Sequence, residues 1–269
     1  DTPIAESVIV GAGIGAAMVG VRPIVEIMTI NFSLLAMDQI INSAAKLRYM
    51  SGGQVTVPLV IRTVSGGGNQ LAASHSQSLE GWFAHVPGLK VVAPSNPYDA
   101  RGLLKAALAD PNPVMYVEHS LLYGFKGEVP EEEYQVPFGV ADVKREGDDV
   151  TIVSYSRMLQ VALRAAERLA EEGVEAEVVD LRSLRPLDTD TVVESVKKTS
   201  RAVVVEEGWR ALGVGAEVSA QLHEKALEYL DAPVQRLSSA DAPMPYSRPL
   251  ELAAIPNEDR VVDAVHQLL

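Results

Sequence analysis

The chain contains no cysteine. That excludes disulfides, iron–sulfur clusters and thiolate zinc sites, and it fits a reducing compartment. Basic runs are missing too: 23 Lys and Arg stand against 36 Asp and Glu, a formal charge of −13. Nucleic-acid and anionic-membrane surfaces need clustered cations to neutralise phosphates, so neither is an expected partner. No apolar stretch reaches the roughly 18 uncharged residues of a membrane span, and no basic leader precedes an apolar signal core. A soluble, cytoplasmic protein is expected. Short catalytic motifs are scarce as well. His75, His85, His119, His223 and His266 are scattered, with no His-x-x-x-His or Glu-x-x-His spacing for a metal. A Gly-x-Ser-x-Gly elbow and a phosphate loop with its lysine are absent.

What is there begins with "VIVGAGIGAAMVG", where Gly11, Gly13 and Ala16 imitate the turn that holds a dinucleotide pyrophosphate. That fingerprint needs a strand before the glycines, a helix of several turns after them, and an acidic residue about 20 positions on. Gly20 and Pro23 cut the helix short, and Glu26 arrives too early to complete the unit. The spacing therefore disfavours an oxidoreductase that binds NAD or a flavin. Pro3 to Val19 reads better as one helix. Thr2 can cap it, Pro3 suits its first position, and Ile4, Val8, Gly11, Gly15 and Met18 recur along one face. Each glycine costs about 1 kcal/mol against alanine, so another backbone is expected to approach closely, at an interface. Glu6 stands out as a carboxylate in the first turn of an apolar segment, although the helix dipole and free amides favour an acid there in any case.

At 269 residues the chain can hold two domains, each with its own core. From Val55 onward short β-branched runs alternate with helical patterns: "VTVPLVIRT", the loop "VSGGGNQLAASHSQ", "SLEGWFAHV", "LKVVAP", "NPYDARGLLKAALA" and "PVMYVEH". Prolines, glycines and acids from Tyr123 to Gly139 read as an interdomain linker. A second series follows: "DVTIVSYS", a helix over Met158 to Glu172, "EAEVVDLRSLRPLD", a helix over Asp188 to Thr199, "RAVVVEE", a helix over Val214 to Leu230, and "APVQRLS". Each half is thus expected to be α/β, with a mostly parallel sheet covered by helices on both faces. No repeat marks a solenoid.

In the glycine-rich loop, His75 lies between Ser74 and Ser76. Loops carry function more often than cores do, yet a single loop histidine is commonly just surface. Five longer motifs say more: "DTPIAE", "RPIVEIMTINFSLLAMDQIINSAAKLRYMSGG", "AASHSQSLEGWFAHVPGLKVVAPSNPYDARGLLKAAL", "VVDLRSLRPLD" and "SSADAPMPYS". Together they resemble the β subunit of the thiamin-diphosphate-dependent 2-oxo acid dehydrogenases, from Asp1 nearly to Leu269. "INFSLLAMDQI" is most similar to pyruvate dehydrogenase β chains, with acetoin and branched-chain members as alternatives. The resemblance implies a transketolase-type pyrimidine-binding domain over residues 1–138 and a transketolase C-terminal domain over 139–269.

The resemblance also implies roles. Glu6 matches the glutamate that meets the pyrimidine ring nitrogen of thiamin diphosphate; sharing a proton there favours the tautomer whose exocyclic nitrogen takes up the thiazolium proton. Ile4 and Val8 would desolvate the carboxyl and favour its neutral form. Met28 and Phe32 match the apolar wall against the pyrimidine; ordinary core is the alternative for both. His75 matches the histidine at the mouth of the active-site channel, where proton donation or charge stabilisation accompanies acyl transfer to a lipoyl arm. Main-chain oxygens of Leu59, Ala107, Asp110 and Asn112 match a potassium site, and Asp-Pro-Asn-Pro is a turn able to aim carbonyls inward. Family chains carry several dozen residues ahead of "DTPIAE", so the first domain is expected to be incomplete. No Gly-Asp-Gly with a distant Asn offers to hold the magnesium diphosphate. An α subunit is expected to hold it, in an α2β2 assembly with the active site at a subunit interface, to which the first helix contributes. The expected activity is decarboxylation of pyruvate, a small 2-oxo acid, and reductive acetylation of a lipoyl group on an acyltransferase core, in the bacterial cytoplasm or a mitochondrial matrix. The alternative from another class is a truncated, non-catalytic scaffold subunit.

Overall fold

The structure, a computed structural model, describes residues 2–269; Asp1, where the expected first domain begins, lies outside the described residues. Contacts divide the chain into two compact units. One takes in the chain up to Ser65, with Leu79–Phe138 and Leu184–Pro186; the other takes in Gly66–Ser78, Gly139–Ser183 and Leu187–Leu269.

The first half runs through α1 (Glu6–Met18), β1 (Ile24–Ile27), a 3₁₀ stretch Ile30–Ala36, a π turn Gln39–Ala44, α2 (Leu47–Met50), β2 (Val60–Ser65), α3 (Glu80–Ala84), β3 (Lys90–Val92), α4 (Pro97–Ala109) and β4 (Val114–His119). The strands β1, β2, β4 and β3 lie side by side in that order, all parallel, with Val60 opposite both Ile24 and Val114. Along β4, residues 114–117 are at most 1% exposed, which is why this stretch reads as continuous apolar sequence rather than alternation. The Asn96 side chain starts α4 by accepting the Asp99 N–H at 2.9 Å, Pro97 fits its first turn, and Pro111 and Pro113 forbid continuation. Leu103 and Ala107 of α4 then bury against Val60, Val92, Val114 and Tyr116. Each larger side chain so buried stabilises by about 1.5–3 kcal/mol.

Three expectations need correction here. The first helix begins at Glu6, with Ala5 as its N-cap and no capping side chain, so neither Thr2 nor Pro3 starts it. Its buried residues are Val10, Gly13, Ile14 and Ala17, whereas Val8 and Met18 of the expected face are 57% and 46% exposed. A helix that is apolar all round gives periodicity nothing to choose between. The third concerns the expected linker. Tyr134 stacks on Tyr98 at 4.5 Å, and Val136, 2% exposed, joins the core with Phe138 against it. This strap is folded onto the first unit because its aromatic and β-branched residues find an apolar seat.

The second half comprises β5 (Asp142–Arg145), β6 (Val150–Ser154), α5 (Ser156–Glu171), β7 (Ala176–Asp180), β8 (Ser183–Arg185), α6 (Thr189–Thr199), β9 (Ala202–Trp209), α7 (Val214–Ala226), β10 (Gln235–Ser239), α8 (Arg248–Ala254) and α9 (Glu258–His266). Among the described residues its sheet has the order β10-β9-β6-β7-β5, parallel apart from β5, while β8 takes the edge of the first sheet beside β3. Every residue of β6 and β7 is buried. Met158, Leu159, Ala162, Ala165, Ala166 and Leu169 recur at helical spacing along α5 and fill the core with Val178, Val203 and Val261. Asp188 caps α6 by accepting the Thr191 N–H at 3.1 Å. The helix expected up to Leu230 ends at Ala226 and gives way to a 3₁₀ turn. The expected α/β architecture with two mostly parallel sheets is observed.

Candidate active site

Glu6, Met28 and Phe32 all belong to the first unit. Glu6 opens α1, which packs on the 3₁₀ stretch carrying Phe32; Met28 directly follows β1. The Glu6 side chain is half-buried and has no hydrogen bond or ion pair among the described residues. It caps no amide of its own helix. Ile4 and Val8, expected to desolvate it, are 82% and 57% exposed. Met28 is 66% exposed and Phe32 half-buried, so a thioether and an aromatic ring stand partly uncovered in the same unit. Beside them on the sheet, Arg62 bridges Glu26 and Glu118, at 2.7 Å to each, and the Tyr123 hydroxyl donates to Glu118 at 2.8 Å. Burial first, then that bond to a carboxylate, raises the Tyr123 pKa and keeps the phenol neutral.

His75 lies in the second unit, exposed, with its Nδ1 3.0 Å from Ser74 Oγ and its backbone N–H donating to the Ala72 carbonyl at 3.2 Å. The loop that carries it is pinned by two carboxylates that sequence reasoning did not single out. Glu207 of β9 accepts the Gly67 N–H at 2.6 Å; Glu251 of α8 accepts those of Gly68 at 2.9 Å and Gln70 at 3.1 Å. Both are buried, at 9% and 0% exposure. The available signal is a glutamate inside the apolar runs "AVVVEEGW" and "RPLELAA", where an acid must find donors or stay out. The neighbouring Glu206 of β9, 1% exposed, directs its carboxyl to the start of α7 and accepts the Gly215 N–H at 3.0 Å and the Ser238 hydroxyl at 3.2 Å. Burial raises its pKa, against the opposing pull of Gly215, Ser238 and Arg236.

Leu59, Ala107, Asp110 and Asn112 are all in the first unit, around the end of α4. The Leu59 carbonyl accepts the Val114 N–H at 2.9 Å, and that of Ala107 accepts the Asp110 N–H at 3.3 Å. Arg22 donates to the carbonyls of Leu108 at 2.7 Å and Asp110 at 3.1 Å. Arg48 donates to the Asn112 side-chain oxygen at 2.7 Å, and the Lys90 ammonium pairs with the Asp110 carboxylate. Three basic side chains thus meet at this turn. Among the described residues no group of three or more acidic or histidine side chains is arranged to hold a metal ion, and no helix is long and apolar enough to cross a membrane.

Comparison with known proteins assigns both halves. Residues 1–126 match the transketolase pyrimidine-binding domain, and residues 139–261 match the transketolase C-terminal domain. The chain is 51% identical to the mitochondrial pyruvate dehydrogenase E1 component subunit beta of Dictyostelium discoideum, over 100% of this chain and 76% of that one. It is 53% identical to the subunit beta-1 of Arabidopsis thaliana, over 98% and 74%, and 51% identical to that of Rhizobium meliloti (strain 1021), over 98% and 58%. Among solved structures, a chain described as a split gene transketolase, inactive beta4 tetramer, superposes with a TM-score of 0.83 at 28% identity, covering 100% of this chain and 83% of the other. Two transketolase-type domains and half-identity along the whole length place the chain in the family of pyruvate dehydrogenase E1 component β subunits.

Proposed function

We propose that this chain is the β half of an enzyme that decarboxylates pyruvate with thiamin diphosphate and passes the acetyl group to a lipoyl arm of an acyltransferase core. Its relatives' names supply the substrate; the chain's own residues supply one end of the coenzyme site. The observation that carries this reading is Glu6: a half-buried carboxylate with no partner among the described residues, in a unit where Met28 and Phe32 offer a thioether and a ring. That donor set suits a flat, mostly apolar ring bearing one basic nitrogen. It suits a diphosphate poorly, so the diphosphate and its magnesium fall to an α subunit, in an α2β2 assembly.

When bound, the coenzyme supplies the carbon nucleophile that adds to the 2-oxo group and the sink for the electrons left by carbon dioxide. Glu6 holds a proton at the ring nitrogen and lets it move. Met28 and Phe32 keep water from the ring faces. His75, with Ser74 at its Nδ1, supplies or takes a proton as the acetyl group leaves for the lipoyl arm. The open face of α1, with Val8 and Met18, is proposed for the α contact, since a helix apolar all round calls for cover on both sides. A potassium ion at the main-chain oxygens of Leu59, Ala107, Asp110 and Asn112 would have to share the Asp110 carbonyl with the Arg22 guanidinium, which donates to it at 3.1 Å. No step is assigned to that ion.

The test is Glu6→Gln in the chain co-assembled with its α partner. Pyruvate decarboxylation is expected to fall by a factor on the order of 10²–10⁴, the usual share of a positioned proton-transfer group. Turnover close to the unmodified pair overturns the assignment.

A further inference from the structure

Residues 66–78 have no regular structure, and their backbone is unusual. Gly66, Gly68, Gln70 and Ala72 have φ of 86°, 99°, 57° and 62°, alternating with residues on the other side of the map. Gly66 and Gly68 accept that geometry without a Cβ penalty. Such alternation turns neighbouring N–H groups toward one side and makes a concave anion seat. In this loop the seat is filled from within the second unit. Glu251 places one oxygen 2.9 Å from the Gly68 N–H and both oxygens 3.1 Å from that of Gln70, while Glu207 reaches the Gly67 N–H at 2.6 Å. Gly67 also packs so tightly on Ile255 and Met244 that a Cβ there would lie 3.1–3.2 Å from them. At the loop's base the Gly66 N–H donates to the Gln77 carbonyl at 3.1 Å.

We infer that Glu207 and Glu251 are positioning residues for the acetyl-transfer step: their carboxylates fix the backbone of the glycine-rich loop so that His75 is presented in one geometry. The inference rests on the role proposed for His75. A carboxylate suits the task because backbone amides only donate, and both of its oxygens only accept. Bonds to an ionised acceptor are also roughly twice as strong as neutral ones. Without them a loop this rich in glycine would sample many shapes, and a displacement of about 1 Å at a proton-transfer group costs roughly 100-fold in rate. Neither glutamate needs to touch substrate. Glu207 also faces Arg157 at 3.4 Å, so its charge is balanced on the side away from the loop amide.

The experiment uses the full chain assembled with its α partner, as Glu251→Gln and, separately, Glu207→Gln. The second variant touches a single loop amide and guards against a folding defect in the first. Amide hydrogen exchange over residues 66–78 is expected to accelerate about 10-fold or more, with the rest of the second unit unchanged. The kcat for acetylation of a lipoyl domain is expected to fall roughly 10- to 100-fold, with its KM changed less than about twofold. Unchanged exchange over 66–78 in both variants overturns the anchoring. Accelerated exchange with unchanged kcat reduces the glutamates to scaffolding and overturns the positioning role. His75→Ala run in parallel separates the two readings: full acetyl transfer by that variant sinks the role of His75 itself, and the positioning claim with it, while the exchange data report on the loop regardless.

Discussion

Glu206 shows what a buried acid does when backbone and hydroxyl donors surround it. Its carboxyl occupies the start of α7, where free amides and the helix dipole would otherwise attract an anion. Glycines make the room: a Cβ on Gly213 or Gly215 would fall 2.6 or 2.7 Å from its oxygens. Burial nevertheless raises its pKa in the fold, so the native state holds the proton more tightly than the unfolded chain does. The stabilisation linked to that proton is complete below the unfolded carboxylate pKa and is lost as pH rises through the folded value. Glu206→Gln keeps the shape and removes the titration. Urea unfolding of the isolated chain across the acidic-to-neutral range should therefore show a flatter dependence of stability on pH in the variant than in the parent. Parallel curves would mean that Glu206 ionises in the fold as it does in the open chain. At this scale the sequence is a poor guide, because "VVVEEGW" shows two acids in a strand and cannot say that one meets a helix and the other a loop.

The first helix makes a sharper case at the scale of an element. Its glycines are not equivalent. A Cβ on Gly13 would lie 2.6 Å from Val25 Cγ1 and 3.1 Å from Leu59 Cδ1, whereas Gly15 has nothing within 4 Å. Gly13→Ala gains about 1 kcal/mol of helix propensity but overpacks a seat that cannot open freely, at about 1–3 kcal/mol, so a net loss of up to about 2 kcal/mol is expected. Gly15→Ala should gain the propensity alone and raise stability by about 1 kcal/mol. Denaturant midpoints of the two variants, measured on the isolated chain, are expected to move in opposite directions; movement in the same direction would remove Gly13 from the seat of Val25. Periodicity recognised this helix but chose its wrong face, since Val8, Met18, Val10 and Ile14 are equally apolar and only the partner strand decides. The strands and the longer helices were easier to read. Runs such as "VTIVS" and the spacing of Met158, Ala162, Ala165 and Leu169 leave one solution. The stretch Ile30–Ala44 was not legible as structure, because 3₁₀ and π turns follow neither repeat.

For the whole molecule, two mostly parallel sheets with helices follow from composition and alternation alone, while the proposed coenzyme site does not. Glu6 and His75 belong to different units and are 69 residues apart in sequence, so only long motifs, not spacing, single them out together. The carboxylates that hold the His75 loop come from positions 207 and 251, a separation local patterns do not bridge. The proposed division of labour, with this chain taking the pyrimidine and another the diphosphate, has a thermodynamic consequence. A ligand that binds only the assembled site stabilises only the assembly: at 100 times its Kd the gain is about 2.7 kcal/mol. At roughly 2–4 °C per kcal/mol for domains near this size, that is a rise of about 5–10 °C in Tm. Thiamin diphosphate with magnesium is therefore expected to leave the Tm of this chain alone unchanged and to raise that of the α–β pair, with calorimetric titration showing binding heat in the pair only. Tight coenzyme binding by this chain alone would place the diphosphate on its own residues and remove the need for a shared site; no binding by the pair would leave Glu6 without a ring to serve and favour the scaffold reading.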